Sequence, residues 1–221
     1  SYFNQFEKPP HLFIEGKLAI SNDYFTKNVK SKWITNFQSR QLGNFLRSEY
    51  NCLISTSKTL NNDNALFDCR IDGLENKSPD LIIIDRKLKI KNNLKIFKKK
   101  IKRKIILITC IKNSKKISFL KKNNVQVYLL KSLDRKEDFQ KIINLLKEKG
   151  YNRIFVECGV VFLEFLVKNK FLSNLYIFKS DKKLKKFGRK PIKYIIRRKL
   201  KFKNLIKVNL YDNKLFQEKI T

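Results

Sequence analysis

The chain of 221 residues carries 51 lysines and arginines against 19 acidic residues, a formal net charge of +32, and 42% of it is apolar. That apolar share supports a core and excludes a wholly disordered chain, and no apolar run is long enough to span a bilayer. One histidine, His11, and four scattered cysteines without C-x-x-C spacing (Cys52, Cys69, Cys110 and Cys158) argue against a catalytic triad and against a zinc or other metal centre.

Such charge would attract nucleic acid or an anionic surface. Lysine, asparagine, isoleucine and phenylalanine are abundant together, however, as compositional drift produces. The cationic runs also lack the interleaved aromatics of a nucleic-acid module. Nucleic acid is therefore not the expected partner, and reduced thiols suit a cytoplasmic setting.

"SYFNQFEKPP" (1–10) opens the chain, and its Pro9-Pro10 pair forbids helix. Residues 1–11 read as a linker and 12–221 as one domain. "LFIEGKLAI" (12–20) is β-like and "SNDYFTKNVKSK" (21–32) reads as polar loop. Residues 36–50 place Phe37, Leu42, Phe45, Leu46 and Tyr50 near helical spacing despite Gly43. "CLIST" (52–56) is a short strand, followed by "TLNNDNALFDCR" (59–70) as a long loop.

"DLIIID" (80–85), "KIILITC" (104–110) and "VQVYLL" (125–130) are apolar runs of the buried-strand kind. Residues 138–150 form an amphipathic helix stopped by Gly150. "RIFVECG" (153–159) is a strand, 160–169 a helix and 174–180 a strand. The tail 201–211 reads as one or two late strands on an antiparallel edge. The runs 96–104 and 182–199 read as solvated charge. Alternating strands and helices from about 36 to 180 give an α/β class with a buried central sheet.

Four stretches could carry chemistry. "FVECG" opens a helix, whose start offers N–H groups to a phosphate. "IIIDRK" sets cations beyond a buried strand, where Arg86 or Lys87 could meet a ligand phosphate. Trp33 in "KSKWIT" is either a lid over a planar ring or a core anchor. In "TLNNDNALFDCR" Asp63 can orient or donate a proton, and Arg70 can clamp an anion. Each stretch alone is more often an ordinary turn, a solvated surface or, for Trp33, a core anchor.

Their order is more specific. "KLAISNDY" (17–24), "SKWIT" (31–35), Leu46-Arg47, "TLNNDNALFDCR", "IIIDRK" and "VECG" follow one another. In this order the chain resembles the reductase domain of the bifunctional riboflavin-biosynthesis deaminase/reductase, the RibD family, over residues 12–180. The family patterns are K-L-x-x-S-L-D-G, S-x-W-I-T, L-R, T-V-L-x-D-x-P-x-L-x-x-R, I-D and V-E-G-G. The resemblance implies a fold similar to dihydrofolate reductase, a mixed central sheet flanked by helices. It implies NADPH-dependent reduction of 5-amino-6-(5-phosphoribosylamino)uracil to the ribitylamino compound, with hydride delivered to the sugar C1 of a ring-opened imine. It also implies a homodimer and a deaminase domain fused upstream, which suits the opening linker and the missing methionine.

Residue by residue, the resemblance places Ala19, Trp33, Thr59, Asp63, Arg86, Gly159, Val160 and Val161 at the cofactor. It places Lys17, Ser31, Arg47, Phe67, Arg70 and Glu157 at the substrate, with Arg47 and Arg70 serving its phosphate and Asp63 nearest the hydride transfer. Three departures stand out: Tyr24 replaces a turn glycine, Ala65 a proline, and Cys158 the first glycine of V-E-G-G. Two alternatives remain: a reductase of this fold acting on another pyrimidine or pterin, and a basic nucleic-acid-binding derivative.

Overall fold

A computed structural model describes residues 12–31, 33–99 and 102–220. The linker assigned to residues 1–11 lies outside them. Eleven strands are β1 Phe13–Ile20, β2 Phe25–Asn28, β3 Cys52–Thr56, β4 Asp80–Ile84, β5 Ile105–Thr109, β6 Val125–Leu129, β7 Arg153–Val156, β8 Asn174–Ser180, β9 Gly188–Pro191, β10 Leu205–Ile206 and β11 Asn213–Lys219. Seven helices are α1 Phe37–Ser48, α2 Ser57–Asp63, α3 Lys95–Lys98, α4 Ser114–Lys122, α5 Lys136–Glu148, α6 Val160–Lys168 and α7 Tyr194–Lys199.

Nine strands form one mixed sheet in the order β10-β11-β8-β1-β7-β3-β4-β5-β6. From β8 to β6 every pairing is parallel, and β11 closes one side antiparallel to β8. The apolar runs fill its middle because parallel strands covered on both faces have no wet side. Along β4, Ile82 faces one core while Leu81 and Ile83 face the other. α5 and α6 cover the first face with Phe139, Ile142, Leu146, Leu163 and Leu166. The second is covered by Leu60 of α2, Ile96 of α3 and Leu120 of α4, with Leu46 of α1 packed against them. Each fully buried aliphatic side chain contributes about 1.5–3 kcal/mol.

β1 lies near the centre and alternates strictly. Ile14, Leu18 and Ile20 enter the larger core, and Glu15, Lys17 and Ala19 take the other face. Packing at Gly16 is close, since a Cβ would stand 3.0 Å from Leu175 Cδ1 and 3.1 Å from Leu172 Cδ1, so both leucines would have to give by a few tenths of an ångström.

The α/β class and central mixed sheet are as expected, and four local readings change. The loop 21–32 contains β2, which pairs with β9 in a separate two-stranded sheet. Residues 59–63 are helical, because Thr56 caps α2 and Asn64 ends it in the left-handed region at φ 47°. Helix α4, capped by the Asn113 side chain, and β11, beyond the expected tail strands, were not anticipated. Run 182–199 is not simply solvated, since Ile192 and Ile196 are buried within it. Tyr24 adopts φ 67° where the family has glycine. Its ring packs beside Phe202 at 6.2 Å and under the Arg197 guanidinium at 4.5 Å. Those contacts offset the roughly 1–2 kcal/mol that a left-handed residue costs.

Candidate active site

Parallel strands end together, and ligands of open α/β sheets collect beyond their carboxyl ends. Here β3 runs into α2, β4 into Asp85-Arg86, and β7 into Glu157, Cys158 and the start of α6. Lys17 and Ala19 lie toward the end of β1, on the face opposite the larger core.

The centre of the site is a buried ion pair. The last turn of α1 projects Arg47, whose Nε donates to Glu157 Oε1 at 2.5 Å and whose Nη2 donates to Oε2 at 3.0 Å. Its Nη1 donates to Asn44 Oδ1 at 2.9 Å and to the Asp68 carbonyl at 3.0 Å. Four of the guanidinium's five N–H groups are thereby engaged. Its carbon also sits 5.6 Å from the Phe67 ring centre. The Ser55 hydroxyl holds the Glu157 carbonyl at 2.7 Å.

Burial pushes the Glu157 carboxyl up, but Arg47, with Lys17 and Arg70 nearby, outweighs it and holds it below the usual range. Lys17 shows the opposite balance. Burial lowers its ammonium below the usual lysine value, Arg47 lowers it further, and Glu157 and Asp63 pull only partly the other way. A desolvated cation beside a paired carboxylate is the perturbed pair that functional clefts tend to contain.

Next to this cluster lies the start of α6. Gly159 is its N-cap, and a Cβ there would meet nothing closer than Thr59 Oγ1 at 4.0 Å. Thr59 in turn lies 3.0 Å, Oγ to Oγ, from the capping Thr56. Val160 is buried while Val161 is 69% exposed. Cys158 packs against the larger core, so its extra Cβ does not occupy the open face at Gly159.

The second half of the loop is Asn64 to Arg70. Asp63, at the last position of α2, is exposed, whereas Phe67, Asp68 and Cys69 are buried. Arg70 is exposed, with its Nε 3.1 Å from Asp68 Oδ1. Phe67 turns through φ 55°. A cleft beside it is lined by Asp68, Arg70, Glu75, Lys99 and Lys102.

Several expected positions lie apart from the ion pair. Ser31 is exposed and accepts from the Trp33 amide at 3.2 Å. Trp33 is 50% exposed under the Arg40 guanidinium at 4.7 Å, so it is not a core anchor. Ala19 packs against the small cluster of Phe178, Leu210 and Leu215. Arg86 is exposed and ion-paired with Asp134. Arg47 was expected to serve a substrate phosphate, yet its donors point at Glu157, Asn44 and the Asp68 carbonyl.

Two supporting residues escaped sequence reasoning. Asp85 accepts from the Ser57 hydroxyl at 2.8 Å and from the Lys89 and Ile90 amides at 2.9 and 2.8 Å, so it ties α2 to the turn bearing Arg86. Arg103 lies in a run read as solvated but donates to the Phe67 carbonyl at 2.8 Å and to the Leu66 carbonyl. Its being the one arginine among the lysines of 96–104 was the available signal.

Among the described residues no helix is long and apolar enough to cross a membrane. A Buchnera aphidicola protein named 5-amino-6-(5-phosphoribosylamino)uracil reductase is 28% identical over 167 residues, covering 71% of this chain and 78% of that one. The Aquifex aeolicus riboflavin biosynthesis protein RibD is 28% identical over 176 residues, covering 80% of this chain and 48% of its own. This chain thus spans about half of that relative's length. In fold it matches Acinetobacter baumannii RibD with a TM-score of 0.74 at 15% identity, over 96% of this chain and 58% of that one. It matches the Saccharomyces cerevisiae riboflavin biosynthesis reductase Rib7 with a TM-score of 0.72 at 18% identity, over 98% and 93%. The model of the RibD C-terminal domain matches residues 17–182, and the chain belongs to that family.

Proposed function

We propose that this chain is an oxidoreductase of riboflavin biosynthesis, reducing 5-amino-6-(5-phosphoribosylamino)uracil to 5-amino-6-(5-phosphoribitylamino)uracil with NADPH. The observation that carries the reading is the buried Arg47–Glu157 ion pair, with the half-buried Lys17 coupled to it electrostatically, set beside the open start of α6. The name of the Buchnera relative supports the substrate.

The cofactor fits the residues present. The Gly159 face is open, and the first amides of α6 can receive a pyrophosphate at the positive end of the helix. Gly159, Val160, Val161 and Thr59 would hold it there, with Ala19, Trp33 and Asp63 toward the nicotinamide and Arg86 toward the 2′-phosphate. NADPH, when bound, supplies the hydride. The protein's work is then positioning and proton management. Lys17 and Glu157 receive the pyrimidine's polar edge at a largely buried site, where each contact is stronger than in water. Arg47 fixes Glu157 as an ionised acceptor. Phe67 and Ser31 border the substrate, and Arg70, the freer of the two arginines, meets its phosphate. Asp63 stands at the mouth to orient the imine or return a proton.

The test is NADPH oxidation by the folded protein. Oxidation that requires the phosphoribosylamino-uracil supports the reading. Absence of oxidation at saturating concentrations of both compounds contradicts it.

A further inference from the structure

The loop 64–70 carries Phe67 and Arg70, yet its backbone makes few ladder bonds of its own. Asn64 and Phe67 are both in the left-handed region, at φ 47° and 55°. Such residues persist only where their surroundings hold them. What holds Phe67 is a side chain from 36 residues further along. Arg103 Nη1 donates to the Phe67 carbonyl at 2.8 Å and to the Pro79 carbonyl at 3.3 Å, and Nη2 donates to the Leu66 carbonyl.

We propose that Arg103 is a positioning residue of the reductase site, a guanidinium clip that sets the turn at Phe67 and so aims Arg70 at the substrate. This deepens the reading of function above and rests on it. Three carbonyls from two chain segments converge on one planar cation, which suits arginine and not lysine, a single point donor. Arg103 is the single arginine in the lysine-rich run 96–104. Asp68, next to the clipped carbonyl of Phe67, presents its buried Oδ1 to Arg70 Nε at 3.1 Å, an ion pair that is the contact of an oxygen otherwise without a hydrogen bond. Arg47 reaches the Asp68 carbonyl from the other side at 3.0 Å. The loop is therefore gripped between two arginines, the buried Arg47 paired with Glu157 and the half-buried Arg103 bound to carbonyls.

Arg103→Lys and Arg103→Ala test it by steady-state kinetics and by hydrogen exchange on the intact chain. The expected result is a KM for the phosphoribosylamino-uracil raised about tenfold or more, since charged hydrogen bonds are lost, with the KM for NADPH unchanged. Added guanidinium should recover part of the loss in Arg103→Ala. Amides of 66–70 should lose protection in Arg103→Lys while those of β3 and β7 keep theirs. Equal rises in both KM values, or unaltered exchange at 66–70, would overturn the proposal. The exchange arm reads the clip without turnover, so a wild-type protein that fails to oxidise NADPH sinks the functional reading and leaves the clip still judged.

Discussion

Arg47→Met isolates the charge pair at the centre of the site. It leaves the Glu157 carboxylate buried without its guanidinium bonds at 2.5 and 3.0 Å, with only the weaker pull of Lys17 and Arg70 to offset burial. Breaking a buried pair by removing one partner costs about 3–5 kcal/mol. In a domain of this size each kcal/mol moves Tm by about 2–4 °C, so a fall of about 6–20 °C is expected. Glu157 can escape the penalty by taking up a proton. Its folded-state pKa then rises above the ordinary 4.5, so the deficit should be largest at neutral pH and shrink on acidification. Arg47→Met/Glu157→Gln removes both charges. Thermal melts of the wild type, both single variants and the double should show a coupling of about 1–3 kcal/mol. Additive losses within about 0.5 kcal/mol, or a single-variant loss independent of pH, would refute the argument.

Arg70→Ala should raise the KM for the phosphorylated substrate by about tenfold while leaving that for NADPH near wild type, and parallel rises would count against phosphate recognition. Gly43→Ala in α1 adds a Cβ with no atom within 4 Å, so stability should rise by about 1 kcal/mol; denaturant melts check this. Acid stability should reflect Glu157. Its folded pKa lies below the unfolded 4.5, so its contribution is complete above that value and is lost as pH falls through the folded value. In Glu157→Gln the acid limb of a stability-against-pH curve should be shallower.

The sheet was legible because "DLIIID", "KIILITC" and "RIFVECG" carry short apolar runs rich in β-branched residues, too short for a buried helix and so best solved as buried strands. Helix α2 was hidden because Asn61, Asn62 and Asp63 are turn formers, and the cap at Thr56 that overrides them lies outside the stretch. Strand β2 was hidden because its partner β9 is 164 residues away from Thr26 at Lys190. In the site, the order of motifs singled out Lys17, Thr59, Phe67, Arg70, Glu157 and Gly159 as candidates. It could not show that Arg47 and Glu157, 110 residues apart, are mutual partners, or that Arg103 is turned inward. A charged residue's side of the surface is decided by tertiary packing, and a lysine-rich composition masks it.

The central claim is that hydride passes to the sugar carbon of the phosphoribosylamino-uracil at this site. It is tested most directly by supplying NADPH deuterated at the transferring position of nicotinamide C4 and weighing the product. The account predicts a ribitylamino product carrying a single deuterium at the former sugar C1, with Asp63→Asn binding NADPH yet forming little product. Folded wild-type protein that yields no product, or product without deuterium, would contradict it.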